Sequence, residues 1–173
     1  MSVQVGQKAP NFEVEGVLED QFISESLSKY RGKWVVLFFY PLDFTFICPT
    51  EITEFSKRND EFKELKSQVL GMSIDSKFSH KAWLKELGQL KYPLLSDITK
   101  DVSRNYGVLL EDKGIALRGT FIIDPEVTLK YQLVHDLGIG RSVEEVLRVL
   151  KALQTGELCP VEWKPGKKTL GKA

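Results

Sequence analysis

The sequence has little sulfur, no excess of charge and no long apolar run, and each shortage closes off a class of function. Cysteine occurs twice, at Cys48 and Cys159, and histidine twice, at His80 and His135. Two cysteines do not make a disulfide-stapled scaffold, and these residues are scattered without the spacing of a metal site. The 24 Lys and Arg balance the 24 Asp and Glu, so the formal net charge is zero. Nucleic-acid binding normally leaves a basic excess or stripe, so no such partner is expected. The one local bias, Lys164, Lys167, Lys168 and Lys172, reads as a solvated terminus. No apolar run approaches the ~20 residues needed to cross a bilayer, so no membrane partner is expected. The longest run, Trp34 to Tyr40, has the length of a buried strand. Met1-Ser2-Val3-Gln4 lacks the charged and apolar regions of a secretory signal, which leaves the reducing cytoplasm as the expected compartment. No glycine-rich phosphate loop is present, so no nucleotide cofactor is expected.

What remains is an ordinary globular composition over 173 residues, about one domain in length. Phe12 to Val17 reads as extended and leads, through the turn Tyr30-Arg31-Gly32-Lys33, into the apolar strand Trp34 to Tyr40. Cys48 to Leu65 reads as a helix, with Ile52, Phe55, Phe62 and Leu65 recurring on one face. Val69 to Ile74 predicts a short buried strand, Ala82, Trp83, Leu84 and Leu87 a second helix, and Tyr92 to Leu95 a third strand. Ala116 to Ile123 and Val127 to Val134 flank Asp124-Pro125-Glu126 as a hairpin. Ser142 with Glu145 fits a capping box ahead of the apolar stripe Val143, Val146, Leu147, Leu150 and Leu153. Strands alternating with helices predict an α/β domain, a central mixed β-sheet with helices on both faces. Beyond Gly156 the periodicity stops. We therefore divide the chain into a domain over 1–156 and a turn-rich tail over 157–173, whose apolar residues need another surface, such as a second subunit.

The strongest chemical signal is Tyr40-Pro41-Leu42-Asp43-Phe44-Thr45-Phe46-Ile47-Cys48-Pro49, which joins the apolar strand to the helix. Pro49 suits the first helical position and so sets Cys48 at or next to the N-cap. A thiolate there can accept backbone hydrogen bonds and is favoured by the positive end of the helix. A free thiol with a pKa of ~8.5 is only a few per cent ionised at neutral pH. Lowering it by ~2 takes roughly 2.7 kcal/mol. A helix end supplies ~0.3–1 kcal/mol in exposed cases, so a cation is needed as well.

Pro41-x-x-x-Thr45-x-x-Cys48 matches the active-site motif of the peroxiredoxins. Phe44-Thr45-Phe46-Ile47-Cys48-Pro49-Thr50-Glu51 resembles their typical 2-Cys branch, the alkyl hydroperoxide reductase C and thiol-specific antioxidant group. Further matches run through most of the chain, among them Ser79-His80-Lys81-Ala82-Trp83, Leu117-Arg118-Gly119-Thr120-Phe121, Gly140-Arg141-Ser142 and Cys159-Pro160-Val161-Glu162-Trp163-Lys164-Pro165-Gly166. Ordered matches of this extent are far more specific than a lone motif.

The resemblance implies a thioredoxin-like fold with an N-terminal extension and a C-terminal tail. It also implies a thiol peroxidase acting on hydrogen peroxide and organic hydroperoxides in antioxidant defence. Cys48 would attack the O–O bond and become a sulfenic acid. Arg118 would be the missing cation, donating to the thiolate and to a peroxide oxygen. Thr45 would place its hydroxyl on the peroxide, Pro41 would shield the pocket, and Glu51 would orient the arginine. Cys159 would resolve the sulfenic acid of a partner subunit as an intersubunit disulfide, in a homodimer that the family commonly assembles into a ring of five. Electrons would come from thioredoxin or a flavoprotein disulfide reductase. Singly, the same residues fit plainer roles: Cys48 a buried thiol, Thr45 a turn residue, Arg118 a surface strand residue, Pro41 a strand stop, Glu51 a first-turn dipole partner.

A thioredoxin-like disulfide reductase would generally carry C-x-x-C, and Glu51 stands where the second cysteine would be. A holdase chaperone or a peroxide-signalling relay remains open as a second role. Some family members have a Gly-Gly-Leu-Gly insertion where Leu87-Gly88-Gln89-Leu90-Lys91 runs straight through, and a further C-terminal helix with a Tyr-Phe pair beyond the position of Ala173. Both elements slow the unfolding that disulfide formation needs, so resistance of Cys48 to overoxidation is expected. The segment Leu153 to Leu158 is also shorter than the family's usual link to the resolving cysteine.

Overall fold

Alternating apolar residues begin the sheet at β1 (Glu13–Leu18), which turns back through Glu19 and Asp20 into β2 (Gln21–Ser26). Both turn residues hold positive φ, 49° and 67°, as a tight antiparallel hairpin requires. This second strand is largely exposed and polar, and its pattern gave the sequence reading nothing to detect. The computed structural model describes residues 2–173. Contacts divide the chain into two compact units, Met1–Arg141 and Ser142–Ala173.

The first unit is built on β3 (Trp34–Phe39), buried from Val35 onward, which pairs in parallel with β4 (Ser67–Ser73). β5 (Leu94–Ser96) continues the sheet beside β4, and β1 pairs antiparallel with β5. Beyond a two-stranded ribbon of β6 (Leu109–Leu110) and β7 (Ile115–Ala116), β8 (Arg118–Ile123) runs antiparallel to β3 and β9 (Leu129–His135) antiparallel to β8. The order is β2-β1-β5-β4-β3-β8-β9, a mixed seven-stranded sheet flanked by helices, as the alternating pattern predicts. The α-helices described in this unit are α1 (Cys48–Lys57), α2 (Asn59–Glu64), α3 (Lys77–Leu87) and α4 (Asp101–Asn105). Phe38 of β3 stacks on Phe55 of α1 with centroids 4.4 Å apart and meets Tyr92 edge-on, which ties α1 to the centre of the sheet.

The single helix expected over 48–65 is broken. Arg58 leaves helical geometry at φ −94°, ψ 11°, and the chain restarts as α2. The strand expected over 116–123 is likewise interrupted at Leu117, whose amide donates to Val108 O and separates β7 from β8. The hairpin at Asp124-Pro125-Glu126 forms as expected, with Asp124 Oδ1 accepting from the amides of Glu126 and Thr128. α4, which carries little periodic signal, starts over the Asp97 carboxylate, which accepts from the amides of Val102 and Ser103. Burial pushes the Asp97 carboxyl above its usual range despite these bonds.

The second unit consists of α5 (Val143–Thr155) and the segment after it. Ser142 Oγ accepts from the Glu145 amide at 3.1 Å, while the Glu145 carboxylate turns to Arg148 at 2.6 Å, so the capping box is one-sided. Gly156, at φ 64°, closes the helix in the left-handed conformation. The following segment folds back on itself. Leu158 exchanges backbone hydrogen bonds with Leu170 and Gly171, and the buried Trp163 donates its indole N–H to Lys167 O. Arg148 Nη1 donates to the Trp163 carbonyl at 2.9 Å. Among the described residues no helix is long and apolar enough to cross a membrane.

Candidate active site

β3 is a central strand, and the chain leaves its buried end through Tyr40 and a seven-residue loop, Pro41 to Ile47, into α1. Ile47 is the N-cap, in αR geometry, so Cys48 is the first residue of the helix and Pro49 the second. That is one position later than Pro49's preference suggests. Cys48 is 0 % exposed, and its sulfur receives Arg118 Nη1 at 3.4 Å. Arg118 opens β8, the antiparallel neighbour of β3, which brings it beside the helix start across 70 positions of sequence. The same Nη1 donates to Glu51 Oε2 at 2.7 Å, and Nε donates to Leu137 O at 2.8 Å. Cys48, Glu51 and Arg118 therefore meet as one buried group.

A fourth member is Arg141, from the matching segment Gly140-Arg141-Ser142. Its backbone N–H and its Nε each donate to Glu51 Oε1 at 2.9 Å, and Nη2 reaches Glu51 Oε2 at 3.2 Å. Nη2 also donates to Phe39 O and Nη1 to Gly119 O, so this guanidinium ties Glu51 to the strands on either side. Its only sequence signal is its place before the capping Ser142, where a solvated arginine would be equally at home. Burial pushes the Glu51 carboxyl up, but the Arg141 guanidinium, with Arg118 beyond it, more than reverses this and holds the carboxyl below its usual range. Burial lowers Arg141 from its ordinary value, against the pull of Glu51. Two guanidinium cations against one carboxylate leave the buried cluster one positive charge in excess beside Cys48 Sγ.

Pro41 is buried and Thr45 half-buried in the loop leading to Cys48. Thr45 Oγ1 donates to Leu42 O at 2.8 Å, which engages the hydroxyl proton and leaves the oxygen's lone pairs free to accept. Phe44 sits in the left-handed region at φ 55°, a strained setting for an aromatic residue that persists only where its surroundings fix it. Cys159 lies in the second unit, just past α5, as a partly exposed free thiol. Its Sγ is 3.6 Å from Thr155 Oγ1 and 3.8 Å from Ala152 O. Among the described residues no three His, Cys, Asp or Glu side chains gather as a metal site.

A thioredoxin-like sheet that delivers a buried cysteine to a helix start, against an arginine, is the framework of the cysteine-dependent peroxidases. The AhpC/TSA family matches residues 5–132 of this chain. The chloroplastic 2-Cys peroxiredoxin of spinach is 56 % identical over 177 residues, covering 96 % of this chain and 67 % of that protein. The mitochondrial thioredoxin-dependent peroxide reductase of Drosophila melanogaster is 53 % identical over 174 residues, covering 95 % of this chain and 74 % of its own. The crystal structure of reduced Plasmodium vivax 2-Cys peroxiredoxin superposes with a TM-score of 0.93 at 43 % identity, covering 96 % of this chain and 92 % of that one. The chain belongs to the AhpC/TSA family and is a 2-Cys peroxiredoxin, an enzyme of the cysteine-based peroxidase class.

Proposed function

We propose that Cys48 is the nucleophile that reduces hydrogen peroxide and organic hydroperoxides, and that Cys159 resolves it. The observation that carries this reading is the Arg118–Cys48 contact inside a buried cluster with one positive charge in excess. A thiolate at Cys48 completes that charge balance, and a fixed guanidinium supports it where a helix end alone falls short.

The Cys48 sulfur attacks one peroxide oxygen, and the S–O bond forms as the O–O bond breaks. Sulfur is oxidised to the sulfenic acid, and the other oxygen, reduced, takes up a proton and leaves as water or alcohol. Arg118 supports the thiolate and meets the negative charge developing on oxygen. Thr45 accepts the peroxide O–H, because its own proton is engaged by Leu42 O. Pro41 has no N–H to solvate and closes the pocket, while Glu51 positions Arg118. The Cys159 thiol then displaces water from the Cys48 sulfenic acid and forms the disulfide. A dithiol, thioredoxin or a flavoprotein disulfide reductase, returns two electrons. The name of the Drosophila relative supports the first donor.

Cys159 acts on the Cys48 of a partner subunit in this reading, with residues 157–173 as the segment that carries it. The homodimer is supported by β9, which stands at the end of the sheet order and exposes Leu133 and Val134. Five such dimers would close a ring. A cytoplasmic location accords with two unpaired thiols, although relatives are named for the chloroplast and the mitochondrion. Non-reducing electrophoresis after stoichiometric peroxide tests the scheme. A covalent dimer that is absent in Cys159→Ser is the expected result, and a disulfide at monomer size would refute the intersubunit step.

A further inference from the structure

Under the loop that carries Thr45 lies a buried polar cluster that the reaction itself does not use. Asp43 is its hub: Oδ1 accepts from Tyr40 OH at 2.8 Å, and Oδ2 accepts from Ser79 Oγ and stands 2.8 Å from His80 Nδ1. The side chains of His80 and Asp43 are 0 % and 1 % exposed. His80 Nε2 faces the Leu95 carbonyl of β5 at 2.9 Å; a carbonyl only accepts, so this nitrogen carries a proton. Nδ1 and the Asp43 carboxylate meet in a pocket closed to solvent, where neither group has water to turn to. The Asp43 backbone N–H meanwhile donates to Asp75 Oδ2 at 2.9 Å, and Asp75 is held in turn by Ser73 Oγ.

The Leu42–Asp43 peptide connects this cluster to the peroxide pocket. Its N–H is fixed by Asp75, its carbonyl accepts from Thr45 Oγ1, and the residue that follows the bond is clamped through its side chain by His80 and Tyr40. A peptide unit is planar, so its two ends turn together. Tilting the plane would swing the carbonyl away from Thr45 and free that hydroxyl to rotate. We propose that His80, acting through Asp43, is a positioning residue for the peroxide reaction: it fixes the plane of the Leu42–Asp43 peptide and thereby the direction of the Thr45 lone pairs. This rests on the reading that Thr45 contacts the peroxide. His80 touches neither Cys48 nor Arg118 in the structure, so its influence falls on how the peroxide is held and leaves the thiolate alone.

Two single-turnover rates, measured in a Cys159→Ser background, separate these effects. One is the reaction of Cys48 with hydrogen peroxide, which needs Thr45. The other is its alkylation by iodoacetamide, which needs the thiolate but not Thr45. His80→Gln keeps a donor near Leu95 O and withdraws the ring nitrogen facing Asp43. It is expected to slow the peroxide reaction on the order of tenfold to a hundredfold, the usual effect of a small misalignment, while alkylation stays within about twofold. Tyr40→Phe, which removes only the hydroxyl on Asp43 Oδ1, should act in the same direction and serves if His80→Gln does not fold. In a Thr45→Val background neither substitution should slow peroxide further, because the group they position is gone. Peroxide and alkylation rates falling together, losses that multiply with Thr45→Val, or an undiminished peroxide rate in both variants would overturn the proposal. A Thr45→Val variant as fast as the native protein would instead refute the underlying reading of the pocket.

Discussion

Replacing Arg141 with leucine removes a cation whose side chain is 2 % exposed and whose Nε lies 2.9 Å from the Glu51 carboxylate. The loss is partial, because the amide of position 141 and Arg118 Nη1 still donate to Glu51 in the variant. Breaking a buried ion pair costs about 3–5 kcal/mol, and the retained donors place this case near the lower figure. The guanidinium also lies over the buried Phe38 ring at 5.1 Å, a desolvated contact whose loss adds about 2 kcal/mol. Against a typical total of about 5–15 kcal/mol, the variant should fold but be clearly weakened. Urea unfolding at neutral pH under reducing conditions reads the difference directly.

Acidity supplies a second axis. In the native protein burial raises the Glu51 carboxyl, and Arg141 with Arg118 outweighs it and depresses the group below its ordinary 4.5. A carboxyl depressed in the folded state contributes stability that is complete above the unfolded value and fades as pH falls through the folded one. Arg141→Leu removes most of that contribution. The gap between native and variant should therefore be full at neutral pH and narrow below 4.5. A neutral-pH loss under about 1 kcal/mol, the scale of an exposed ion pair, would refute the account of Arg141 as the main counter-charge of Glu51. So would a gap that does not narrow in acid.

Arg118→Lys keeps the charge but cannot span Leu137 O, Cys48 Sγ and Glu51 with a single ammonium group. Stopped-flow peroxide rates should fall roughly tenfold to a hundredfold, as for the loss of one charge-assisted hydrogen bond. Cys48→Ser should show no peroxide consumption, whereas Cys159→Ser should turn over once when only a disulfide-type reductant is supplied, and sustained turnover would refute Cys159 as the resolving thiol. Gly16→Ala would set a Cβ 2.3 Å from Leu94 O between β1 and β5. A loss of about 1–3 kcal/mol in urea unfolding, with peroxide rate unchanged, is expected for such overpacking.

The sequence was most readable where one segment carries its own period. Trp34 to Tyr40 had to be a buried strand, and the stripe from Val143 had to be a helix. Cys48 followed from a helix start and Glu51 lies one turn after it, whereas the parts given to Thr45 and Glu51 came from the family resemblance. Arg118 and Arg141 are different: they lie 67 and 90 positions from Glu51, Arg118 arrives through the pairing of β8 with β3, and no local pattern encodes either approach. The turn at Glu19 and Asp20 was hidden for another reason. Positive φ there is borne by residues that do not advertise it, where Asn-Gly would have. Arg58 breaks a helix whose apolar face continues through Phe62, so periodicity alone ran across the gap.

That break gives the first unit two tiers of stability. α1 is ten residues long, a length that holds only through its tertiary anchors, here Ile52, Phe55 and the Glu51 ion pairs. α2 packs on β4 and stays with the sheet. Amide exchange is expected to show α1 opening as a unit bounded at Arg58 before the β3 and β4 amides exchange. Such an opening would carry the buried Cys48 toward solvent, with Arg58 marking where the moving segment ends.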